Sequence, residues 1–127
     1  MNTNKVIIVL FPGSPTLRCK IQLKNFIERL GEKHQSKAFY GCFFEDEPKL
    51  NTILHEVSQQ LAEVPNSECN LWPLFFMPGQ MQEHDLPKIL IDQQKKYSRI
   101  NFKLLKSPDL MDELFDSFHE SLITKIV

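Results

Sequence analysis

The sequence has no excess of charge of either sign. Its 15 Lys and Arg stand against 16 Asp and Glu, a net charge of −1. A protein that neutralises nucleic-acid phosphates needs a clustered positive excess, so the balance argues against that class. The basic residues are spread out, and the densest patch, "QQKKYSR" at 93–99, reads as a solvated helix end. Paired cysteines are missing too. Cys19, Cys42 and Cys69 are odd in number and far apart, with neither a CxxC pair nor a disulfide framework. Reduced thiols in a cytoplasmic protein are the expectation. No apolar run approaches a membrane span. The first one, "KVIIVLF" at 5–11, is too short and too β-branched for a signal peptide. There is no low-complexity segment and no internal linker. What remains is one domain over residues 1–127, with 42% hydrophobic and 24% charged residues, ordinary for a soluble globular core.

The apolar runs alternate between two periods. "KVIIVLF" is continuous and rich in Val and Ile, so it reads as a strand buried on both faces. "PGSPT" breaks it, with Ser14 as a helix cap and Pro15 at the first helical position. Leu23, Phe26, Ile27 and Leu30 then recur at helical spacing, and Gly31 reads as the stop. "AFYGCFF" at 38–44 is a second strand with Cys42 buried in it. "EDEP" leads into a second helix with Leu50, Ile53, Leu54, Val57 and Leu61 on one face. Cys69 reads as part of the turn before the third strand, "NLWPLFFM" at 70–77. Pro73 lies near that strand's start, where a missing donor does least harm. A third helix begins near Asp85, with Leu86, Ile89, Leu90 and Tyr97 inward. "RINFKLLK" at 99–106 is a fourth, less buried strand. Ser107-Pro108 opens a last helix carrying Leu110, Met111, Leu114, Phe118, Leu122 and Ile126.

This order, β-α-β-α-β-α-β-α, implies an α/β fold of three layers, α/β/α. It has a four-stranded parallel sheet in the order 2-1-3-4, with right-handed crossovers. Ligands of such sheets bind outside the carboxyl ends of the strands, where the strand order switches. Here the switch lies between strands one and three. The loops there, "FPGSPT" and "MPGQMQEHD", each place a Pro-Gly after an apolar strand and face each other across one crevice.

Three segments carry a family resemblance. They are the apolar strand ending in Gly13-Ser14, "FFEDEPKL" at 43–50, and "PLFFMPGQMQEHDLPKIL" at 73–90. With these the chain resembles the short form of the sirohydrochlorin chelatases, the CbiX-like enzymes of cobalamin and sirohaem synthesis. The likeness covers almost the whole chain. It implies a chelatase-like fold, a tetrapyrrole as bound molecule, and Co, Ni or Fe as a divalent metal substrate. It also implies a homodimer, because longer members carry two such lobes around one crevice.

Metal insertion needs a ligand near the macrocycle centre and a base for the pyrrole protons. Imidazole serves both needs. The family uses two histidines, one in each crevice loop. Aligning Gly13-Ser14 with the family's Gly-His-Gly-Ser loop puts Pro12 at the first histidine position. Aligning Pro78-Gly79 and Asp85-Leu86-Pro87 without a gap puts Met81 at the second. Pro12 has no donor atom, and a thioether is a poor ligand for Co²⁺ or Fe²⁺.

His84, three residues beyond Met81, is the foremost candidate for a metal or proton-transfer role. It also reads as an exposed side chain in the turn before a helix. Glu83 is a weaker partner for it, and Asp85 reads as that helix's N-cap. Glu45, with Asp46 and Glu47, follows strand two on the same side of the sheet. Such acids hold a hard cation, or they suit a helix start through its macrodipole. Gly13 and Ser14 offer amides to a substrate carboxylate, and Gly79, Gln80 and Met81 complete the candidate binding loop. His34, His55 and His119 read as surface residues. Two functions follow, from different classes. One is a binding protein that kept the crevice and lost metal insertion. The other is an active chelatase rebuilt around His84.

Overall fold

The structure is a computed structural model, and it describes residues 4–11, 16–44, 46–74, 84–106 and 120. Its elements run β1 (Lys5–Leu10), α1 (Leu17–Lys33), β2 (Ala38–Cys42), α2 (Leu50–Leu61), β3 (Glu68–Pro73), α3 (Leu86–Lys96) and β4 (Asn101–Leu104). All pairings are parallel, as the alternation of periods implies, and the sheet order is β2-β1-β3-β4, the order expected. The last helix expected from Ser107 onward lies outside the described residues.

Strand alternation divides the core between two faces. Val6, Ile8 and Leu10 of β1 join Cys42, Cys69 and Leu71 on one face. There they meet Leu50, Leu54, Val57 and Leu61 of α2 and Leu86 and Leu90 of α3. Each such aliphatic side chain contributes about 1.5–3 kcal/mol by leaving water. Gln93 of α3 donates to the Ser58 hydroxyl of α2 at 2.9 Å, so these two helices lie side by side. α1 covers the opposite face, with Leu23 and Ile27 against Gly41 of β2. Among the described residues no helix is long and apolar enough to cross a membrane.

Several boundaries differ from the sequence reading, each for a local reason. The cap of α1 is Thr16, not Ser14: its extended backbone and its hydroxyl, which accepts from the Cys19 amide at 3.2 Å, start the helix there. α1 passes through Gly31, whose surroundings are open, and ends when the His34 amide bonds the Leu30 carbonyl. β3 begins earlier than expected and takes in Cys69, which is buried opposite Val6 and Phe102. Pro73 ends that strand rather than opening it. The acids before Pro48 do not enter the first turn of α2, whose N-cap is Lys49. Phe43 instead closes the segment by accepting from Leu50 and donating to Pro48, at 2.7 and 2.8 Å. Asp85 directly precedes α3 but has helical dihedral angles and makes no side-chain cap bond.

Candidate functional site

The carboxyl ends of β1, β2 and β3 are level. Leu10 pairs with Cys42 on one side and with Pro73 on the other. Phe11 donates its amide to Cys42, and Leu74 donates its amide to Leu10, both at 2.9 Å. The two loops that follow β1 and β3 therefore leave the sheet side by side, at the switch in strand order. Pro73 fits this role. Glu68 and Leu74 donate to β1, so the even-numbered amides of β3 face that strand. The nitrogen of Pro73 then faces β4, which ends at Leu104 opposite Leu71. The ladder there reaches the Leu105 amide, which bonds the Leu71 carbonyl at 2.8 Å, and Pro73 has no donor to carry it further.

Of the candidate residues, Pro12, Gly13, Ser14, Glu45, Gly79, Gln80, Met81 and Glu83 lie outside the described residues. His84 is described. It is exposed and stands directly before α3, on the carboxyl side of the sheet. Asp85 beside it is exposed as well. Among the described residues no group of three or more His, Cys, Asp or Glu comes together to hold a metal. The structure thus places His84 near the predicted mouth without giving it a second described ligand.

The two strand cysteines offer no alternative. Burial pushes the thiols of Cys42 and Cys69 up to about 12, far from the thiolate a metal needs. Cys42 instead lies 3.7 Å from the Val9 carbonyl as a weak donor. Described residues line depressions along α1, between α2 and α3, and beside Ser98 at the end of α3, and no candidate residue lines any of these.

The start of α1 holds features the sequence reading passed over. Its first turn carries no acid, yet Arg18 and Lys20 are there and exposed. Cations at a helix N-terminus oppose the macrodipole. Leu17 is 75% exposed and Ile21, one turn on, 50%. Both lie at the crevice end, because α1 runs back from the carboxyl edge of β1. Phe11 anchors that corner with its ring 5.4 Å from that of Phe26. The signal was in the sequence, but it becomes visible only once the helix start is placed at Thr16.

A family model described as CbiX matches residues 6–124. No curated protein matches the chain. Among solved structures, sirohydrochlorin chelatase SirB from Bacillus subtilis subspecies spizizenii, in complex with cobalt, matches with a TM-score of 0.66 at 17% identity. The match covers 83% of this chain and 44% of that one, so the chain spans less than half of that enzyme's length. A CbiX protein assigned to cobalamin (vitamin B12) biosynthesis, from Marinobacter aquaeolei VT8, matches with a TM-score of 0.67 at 20% identity, over 96% of this chain and 97% of that one. At such identities the two structures establish a common fold.

Proposed function

The chain belongs to the CbiX family, and from that membership we propose that its crevice binds a tetrapyrrole but does not insert metal by the family's two-histidine chemistry. The observation that carries this reading is the pair Pro12 and Met81 at the positions where the resemblance expects histidine. A thioether cannot accept a pyrrole proton near neutral pH, and proline offers neither base nor ligand. Loss of general-base help alone removes roughly 10²–10⁴-fold in rate. What the crevice retains suits binding. Two loops leave adjacent strand ends, and the exposed cations Arg18 and Lys20 stand beside them for the carboxylates of a tetrapyrrole precursor. Such a protein holds or delivers the macrocycle, or regulates an active chelatase.

A second reading rests on His84. Its exposure directly before α3, at the carboxyl side of the sheet, keeps the imidazole accessible. In this reading His84 takes the metal and the proton, with Glu83, Met81 or Glu45 beside it, and the protein is an active cobalt, nickel or iron chelatase. One experiment separates the two. Purified protein is mixed with sirohydrochlorin and Co²⁺, and insertion is followed by the change in tetrapyrrole absorption. The first reading expects binding with insertion at the uncatalysed rate. Rapid insertion that vanishes in His84→Ala establishes the second reading instead.

The protein is further proposed to act as a homodimer. Its match to less than half of the Bacillus enzyme, and the exposed Leu17 and Ile21 at the crevice end of α1, support a second copy as the facing wall. A solution mass equal to one chain at micromolar concentration would rule this out. The buried, unpaired thiols of Cys42 and Cys69 support a reducing, cytoplasmic setting.

A further inference from the structure

We draw no further inference here: the strongest candidate, the depression of about 440 Å³ along α1 beside Phe26, Arg29, Leu30 and Lys33, has all of its described lining residues on one helix, and nothing in the structure shows what covers it.

Discussion

Gly41 and Leu23 meet with no room between them: a β-carbon on Gly41 would lie 2.5 Å from Cδ1 of Leu23 and 2.8 Å from Cγ1 of Ile27. The glycine is what lets α1 settle on β2. Gly41→Val should therefore destabilise the protein by about 1–3 kcal/mol through overpacking. Urea unfolding measures it. The effect should be non-additive with Leu23→Ala, because the smaller side chain makes the space that the new one needs. Strict additivity would mean that the contact does not limit the packing.

That contact also shows what a sequence can and cannot reveal. The parallel sheet was legible because "VIIVLF" and "AFYGCFF" are near-continuous apolar runs, and only a sheet covered on both faces buries such runs. The stripe Leu50, Leu54, Val57 and Leu61 was legible for the same reason at the helical period. Boundaries were less so. Thr16 displaced Ser14 as cap because both are good caps, and only tertiary placement decides between them. Cys69 was misplaced because its neighbours in "PNSE" look like a turn, whereas the pairing of Glu68 with Asn101 extends the strand. The switch in strand order was legible as a location, at the ends of β1 and β3. Its chemistry was not, since Pro12 and Met81 can be weighed only against a family expectation.

Gln94 ties the end of α3 to β4. Its Nε2 donates to the carbonyls of Ile100 at 2.6 Å and Tyr97 at 3.2 Å, and its Oε1 accepts from the Phe102 amide at 3.2 Å. Gln94→Leu keeps the volume and leaves three backbone groups without these partners. The expected loss is about 2 kcal/mol, given partial solvation of the freed groups. Thermal unfolding should show it, and an unchanged midpoint would mean that water replaces the carboxamide at no cost.

The thiols should react in two classes. Cys42 and Cys69 are buried with their pKa raised to about 12, while Cys19 is half-exposed. A thiol-disulfide reagent at pH 8 should modify Cys19 quickly and reach the other two only in urea. The same two groups set an alkaline limit. The unfolded chain loses their protons near the ordinary value of 9.0 and the folded chain near 12, so stability falls as pH rises between these values. Cys42→Ala with Cys69→Ala should flatten that limb, at the cost of a smaller core.

At the acid end the relevant pair is Glu68 and Lys103, in direct contact across β3 and β4. Lys103 hydrogen-bonds the Glu68 carboxylate and holds it below the usual range. The unfolded chain then takes up the proton first as pH falls. The pair's stabilisation is present above the unfolded carboxylate value of about 4.3 and is lost as pH drops through the lower folded one. Lys103 is exposed and Glu68 only partly buried, so the effect stays below about 1 kcal/mol and shrinks with salt. Glu68→Gln should remove that part of the acid limb and its salt dependence together.

The last prediction concerns the first turn of α1. Local physics favours an acid there, yet the first turn holds none, and Arg18 and Lys20 are present and exposed. A polycarboxylate in the adjacent crevice would account for both. Charge reversal in Arg18→Glu with Lys20→Glu should then improve the local helix electrostatics and weaken sirohydrochlorin binding at the same time. Exposed charges of this kind are worth about 0.3–1 kcal/mol each, so reversing two should cost roughly tenfold in affinity at low salt. The loss should narrow as salt is raised. Arg29→Glu, at the other end of the same helix, is the control for net charge. Equal weakening by Arg29→Glu would show a long-range field rather than a rim that touches the ligand. Unchanged binding in the double variant would show that the carboxylates point elsewhere, and the crevice would need another anion-binding wall.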